Sequence, residues 1–139
     1  MTAPPGRLLG IDYGRVRIGL ALSDPLRVSV RPFGHVRRSS DAQAAAVVAA
    51  VAKREAVAAL VIGLPVHAHG AAGRSAAWSR AFAARVAAAA ALPVHEVDER
   101  HTSAEAEVEL RAAGRWPAPP GEVDALAAVI VLRRFLAGG

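Results

Sequence analysis

The sequence predicts an α/β fold in which one mixed sheet, built in the order βββαβαβαα, is flanked by helices. Three observations carry this. Five short apolar runs, each stopped by Gly, Pro or charged residues, have the length of strands rather than helices. The first three follow one another with only turns between them, which makes an antiparallel meander. Longer stretches of helical periodicity separate the last two, as βα units require. At 139 residues the chain fits one domain, expected to span residues 1–139.

Leu8-Leu-Gly-Ile-Asp12 reads as a short buried strand, and Tyr13-Gly14 ends it with a residue free to turn. Arg17 to Ser23 is its hairpin partner, broken by Asp24-Pro25, and Val28 to Phe33, interrupted by polar residues, reads as a third, more exposed strand. Ser40-Asp-Ala-Gln43 has the spacing of a capping box, so Ala44 to Ala52 continues as a helix. Ala58-Ala-Leu-Val-Ile62 is a buried strand that Gly63-Leu-Pro65 stops. After a loop reaching Gly73, a helix from about Arg74 sets Trp78, Phe82 and Val86 on one stripe, expected to face the core. Leu92 to Val97 forms the last strand, ended by Asp98-Glu-Arg-His101. Thr102-Ser-Ala-Glu105 is a second capping box opening a helix that stops at Gly114. Trp116-Pro-Ala-Pro-Pro120 is a rigid loop, and a final helix runs from about Glu122 to near Gly138.

Composition narrows the chemistry. Cysteine is absent, which excludes disulfides and thiolate zinc sites and leaves oxygen or imidazole for any metal. No apolar run approaches the roughly 18 residues of a membrane span, and Met1 to Arg7 has no signal-like hydrophobic stretch, so a cytoplasmic protein without a membrane partner is expected. Seventeen basic against twelve acidic residues give a net charge of +5 and a pI near 11.2, which favours a polyanionic partner. Only Lys53 among the cations is lysine, and alanine abounds, so base composition of the genome explains the arginine excess equally well.

Three separated carboxylates stand out. Asp12 shares a strand face with Leu8 and Gly10, leaving room beside it for a metal or phosphate, although an isolated Asp-Xaa-Gly is also explained by a self-bonded turn. Glu99 follows the carboxyl end of the last strand, on the His95 and Val97 face, where open α/β sheets place ligands. A surface pair with Arg100 is its plainer explanation. Asp124 lies at helical spacing with Ala127, Ala128, Val131, Leu132 and Phe135, so its carboxylate points along the face that packs on the sheet, unless it only caps its own helix. Carboxylates from distant segments suit Mg²⁺ or Mn²⁺, which keep positions open for a substrate phosphate. Two such ions about 4 Å apart activate water and stabilise the leaving oxygen of an in-line displacement, which makes phosphodiester hydrolysis the natural reaction. No serine elbow or P-loop competes.

Arg15 and Arg17 near the first turn, Arg74 at a helix start and Arg100 beside Glu99 are candidates to grip phosphates. His67 and His69 lack the partners of a zinc site and read as loop histidines that approach substrate.

In order along the chain, Gly10-Ile-Asp-Tyr-Gly14, Arg17-Ile-Gly19, Ser23-Asp-Pro25, Gly63-Leu-Pro65, Asp98-Glu-Arg100 and Asp124-Ala-Leu-Ala-Ala128 resemble the YqgF family of RNase H-like Holliday-junction resolvases. Each motif is common alone, but the ordered set, from about Leu8 to Leu136, is specific. The resemblance implies an RNase H-like fold with a five-stranded mixed sheet. It also implies metal-binding catalytic roles for Asp12, Glu99 and Asp124, and a substrate that is either pre-16S rRNA at its 5′ end or branched DNA. Junction cutting would call for a homodimer.

Two departures weaken the expected grip on the backbone. Trp116-Pro-Ala-Pro-Pro-Gly121 stands where members carry a Lys-Arg-rich loop, and Val16 replaces a basic residue. His67 stands where Asn is common. The competing reading from another class is a noncatalytic nucleic-acid-binding protein. An actin-like ATPase, suggested by Asp-Tyr-Gly, would need two such domains.

Overall fold

The computed structural model describes residues 3–65 and 71–138. Its five strands are β1 (Arg7–Tyr13), β2 (Arg17–Ser23), β3 (Val30–Arg37), β4 (Val57–Leu64) and β5 (Val94–Asp98). The helices are α1 (Asp41–Arg54), α2 (Ala71–Ala90), α3 (Thr102–Ala112) and α4 (Pro120–Leu136), which reproduces the expected order. The strands lie in one sheet in the order β3-β2-β1-β4-β5. The meander pairs antiparallel, whereas β1 with β4 and β4 with β5 pair parallel.

Alternation along the central strands divides the core in two. Leu9, Ile11, Leu20, Leu60 and Ile62 point to the face covered by α1 and α2, where Val48, Phe82 and Val86 complete the packing. Leu8, Ala21, Val61 and Val97 point the other way, against Ala128, Val131 and Leu132 of α4. β1 and β4 are buried on both faces, which is why they read as nearly continuous apolar runs. Phe82 is fully buried, so truncating it to Ala should cost about 3–5 kcal/mol. Among the described residues no helix is long and apolar enough to cross a membrane.

The close approach of α4 depends on glycines that line its face of the sheet. A Cβ on Gly10 would lie 2.6 Å from Leu132 Cγ and 3.0 Å from the Ala128 carbonyl oxygen, and one on Gly19 would run into the Asp124 backbone. Asp12 is the direct cross-strand partner of Gly19. The register of the first hairpin therefore sets Asp12 beside the patch of bare backbone that receives Asp124.

Several local expectations are corrected. β3 starts two residues late and runs on to Arg37, because Asp24 accepts the N–H groups of Val28 and Ser29 at 2.7 and 2.8 Å and draws both into the preceding turn. At α1 the Ser40 hydroxyl accepts from Gln43 N as expected, but the Gln43 side chain bonds Ser39, so only half the box forms. The second box does not form. His101, in the left-handed region at φ 64°, occupies the cap of α3 without a side-chain bond, and Glu105 turns to Arg134 instead. Trp78 does not join Phe82 and Val86 in the core but stays 40% exposed.

Candidate active site

The hairpin, the end of β5 and the first turns of α4 converge on one cavity of about 430 Å³, whose wall includes Asp12, Glu99 and Asp124. Each carboxylate arrives for a local reason. Asp12 is one residue from the end of β1, on the α4 face. Glu99 is carried just past β5 by the bond from its N–H to the Leu64 carbonyl at 2.9 Å. It leans across β4 at Gly63, where a Cβ would come within 2.8 Å of Glu99 Cβ and 3.0 Å of Oε2. Asp124 sits in the second turn of α4, pressed on Gly19.

Burial and mutual repulsion dominate the electrostatics of Asp12 and Glu99. Burial pushes the Asp12 carboxyl up to about 6; a hydrogen bond shared with Glu99 opposes the rise and the charge of Asp124 adds to it. Burial also pushes Glu99 up to about 8, reinforced by the charge of Asp12, their shared hydrogen bond and the charge of Asp98, and opposed by Arg134. Both carboxyls are thus pushed towards the protonated form relative to ordinary carboxylates. Asp124 differs, since Arg17 Nε donates to its Oδ2 at 2.7 Å.

The cationic candidates are distributed unevenly. Arg100 lines the cavity, with its backbone N–H on Asp98 Oδ1 and its guanidinium exposed. Arg17 reaches the site but is engaged by Asp124. Arg15 lies over the Trp78 ring, 4.6 Å from its centroid, in a neighbouring cavity. Arg74 is exposed in the first turn of α2 and lines neither cavity. His67 and His69 lie outside the described residues.

Two participants escaped the sequence reading. Arg134 donates to the Asp98 carbonyl at 2.8 Å and to Glu105 at 2.6 Å, bracing the segment that carries Glu99. The 3- and 4-residue spacing that aims Asp124 at the sheet continues through Val131 to Arg134, so a signal was present. Tyr13 lines both cavities, and its hydroxyl donates to Asp41 Oδ1 at 2.7 Å.

Comparison with known proteins follows the same lines. The profile of the RuvX family, described as Holliday junction resolvase, matches residues 6–138. A protein of Anaeromyxobacter dehalogenans named "Putative pre-16S rRNA nuclease" is 44% identical over 131 residues, 94% of this chain and 96% of its own. A Synechococcus protein of the same name is 41% identical over 129 residues, 92% of this chain and 87% of its own. Among solved structures, Thermus thermophilus RuvC in complex with a Holliday junction substrate superposes with a TM-score of 0.63 at 20% identity, covering 96% of each chain. That likeness concerns the fold, which is the RNase H-like α/β fold.

Proposed function

This chain belongs to the RuvX family, and on that premise we propose that Asp12, Glu99 and Asp124 are the catalytic carboxylates of a divalent-metal-dependent nuclease that matures the 5′ end of pre-16S rRNA. The chain is a hydrolase of nucleic-acid phosphodiesters. The observation that carries the site assignment is the meeting of three acids, from segments 112 residues apart at the extremes, on the wall of one open cavity.

Mg²⁺ or Mn²⁺ fits this donor set. All three groups are oxygen ligands, and Asp12 and Glu99 are crowded acids whose charge a cation would relieve. Among the described residues no three His, Cys, Asp or Glu side chains are close-set enough to hold an ion as they stand, and Asp124 is engaged by Arg17. Asp12, Glu99 and Asp124 would hold the metal, which supplies an activated water and stabilises the departing oxygen. Arg17, which holds Asp124 in the metal-free protein, is placed so that its guanidinium would bind the scissile phosphate once Asp124 turned to a metal. Arg100, exposed on the cavity wall, orients the same phosphate from the β5 side. One nuclease domain accounts for the chain, acting in the cytoplasm where pre-rRNA is processed in bacteria.

The name carried by the relatives at 41–44% identity favours pre-rRNA. The family description favours a second reading, cleavage of four-way DNA junctions, which requires two copies to make two symmetrical cuts. Cleavage of end-labelled pre-16S-like RNA and of a four-way junction, run beside light scattering, separates them. Preferential cutting of the RNA by monomer supports the first reading; junction cutting by a dimer overturns it.

A further inference from the structure

Beside the carboxylate cleft lies a second cavity of about 290 Å³, walled by Tyr13, Arg15, Arg38, Asp41 and Trp78. It is a built structure. The Tyr13 ring packs on buried Phe82 with centroids 4.9 Å apart, and its hydroxyl is fixed on Asp41. Arg38 bonds Asp41 at 3.1 Å and the Arg15 carbonyl at 2.9 Å, and its guanidinium stands 5.8 Å from the centre of the Tyr13 ring. Asp41, the only acid in the wall, is therefore neutralised by Arg38, while Arg15 makes no ion pair among the described residues and stacks on Trp78 instead.

Three features point to one kind of occupant. The wall carries a net positive charge, which suits a phosphate-bearing ligand. Its faces are an indole, a phenol ring and two guanidinium planes, the surfaces on which unpaired nucleobases stack. It shares the Tyr13 wall with the carboxylate cleft, so the two cavities lie side by side at the end of β1. A volume just below the roughly 300 Å³ at which small-molecule pockets begin suits a single base rather than a run of them. Trp78 explains itself on the same terms. It shares a stripe with Phe82 and Val86, both fully buried, yet remains 40% exposed under Arg15, where a stacked base would cover it.

We propose that Tyr13, Arg15, Arg38 and Trp78 form a subsite for one unpaired nucleotide of the strand being cut, its base stacked on the Trp78–Arg15 pair. This rests on the nucleic-acid reading of the carboxylate cleft and adds a selection to it. A base in an intact duplex is already stacked and paired, so the subsite favours substrates with an unpaired nucleotide next to the scissile bond, whether a single-stranded RNA end or an opened branch point.

The test uses the full chain carrying Asp12→Asn, to prevent cutting, and Trp116→Phe, to leave Trp78 as the only tryptophan. Short single-stranded RNA and DNA, the same strands with abasic sugars at each position in turn, and a blunt duplex are titrated while Trp78 fluorescence and affinity are read. Single strands should quench Trp78, and one abasic position should abolish the quench. Trp78→Ala should weaken single-strand binding about tenfold, with Trp78→Phe restoring most of it, while duplex binding is unchanged. The relative affinities of RNA and DNA strands identify which source fills the subsite. Equal binding of intact and abasic strands without a change in fluorescence overturns the subsite, a result that needs no Trp78 variant to fold. Failure of every strand and duplex to bind overturns the nucleic-acid reading beneath it.

Discussion

Arg17 Nε lies 2.7 Å from Asp124 Oδ2, joining the start of β2 to α4 across 107 residues of sequence. This pair links the hairpin that carries Asp12 to the helix that carries the third acid. It also sets a cation on one of the proposed metal ligands, so on that proposal Arg17 would compete with a metal for Asp124.

Replacing that guanidinium should separate the two effects. Both side chains are about a quarter to a third exposed, so the pair contributes at most about 1 kcal/mol. Arg17→Gln is expected to bind Mn²⁺ up to about fivefold more tightly in calorimetry while cutting more slowly, because the phosphate loses its partner. Weaker Mn²⁺ binding would mean that Arg17 instead holds Asp124 in its ligating position.

The raised carboxyls fix the sign of the pH dependence. Asp12 at about 6 and Glu99 at about 8 both lie above their unfolded values, so the folded, metal-free protein binds more protons than the unfolded chain. Their contribution to stability is complete below about pH 4 and is lost as pH rises through about 6 and then about 8. The Tm of metal-free protein should fall from about pH 5 to about pH 8, and Asp12→Asn with Glu99→Gln should flatten that slope. Added Mg²⁺ should offset the fall, with proton release on binding. A slope that is the same in the double variant would contradict the raised Asp12 and Glu99 carboxyls.

Glycine substitutions should rank by what the new Cβ meets. Gly63→Ala meets the Glu99 side chain and Val131 Cγ2 at 2.8 and 2.9 Å, so those side chains must shift at a cost of about 1–3 kcal/mol. Gly19→Ala meets the Asp124 backbone and has to displace α4, so its Tm should fall further. Denaturant unfolding of both, with Mn²⁺ affinity, checks the order. Equal, small losses would show that α4 is not seated on the sheet as described.

Arg100 is accessible; its backbone N–H bonds Asp98, and its guanidinium makes only a loose 3.9 Å contact with the same carboxylate. Arg100→Ala should weaken nucleic-acid binding severalfold and reduce the slope of log affinity against log salt by about one. An unchanged slope removes Arg100 from the phosphate contacts.

Much of this was legible in the sequence because it depends on period and punctuation. Alternation in Leu8 to Asp12 and 3- and 4-residue spacing from Asp124 to Phe135 are local properties, and they placed Asp12 and Asp124 on faces that meet. What was not legible depends on choices among partners. Asp24 could cap its own turn or leave Val28 in a strand, and Glu105 could close a capping box or reach Arg134; tertiary contacts decided each. Trp78 has the spacing of a core residue, and only its place at the end of the stripe, beside Arg15, brings it to the surface.

The central claim is that Asp12, Glu99 and Asp124 act as one metal-dependent centre for phosphodiester hydrolysis. Its most direct test is cleavage of end-labelled pre-16S-like RNA by wild type and by Asp12→Ala, Glu99→Gln and Asp124→Asn in Mg²⁺, Mn²⁺ or EDTA, with circular dichroism and RNA binding measured on the same samples. The account predicts cutting by wild type only with metal, and its loss in all three folded, RNA-binding variants. Undiminished cutting by any one of them, or cutting in EDTA, would contradict it.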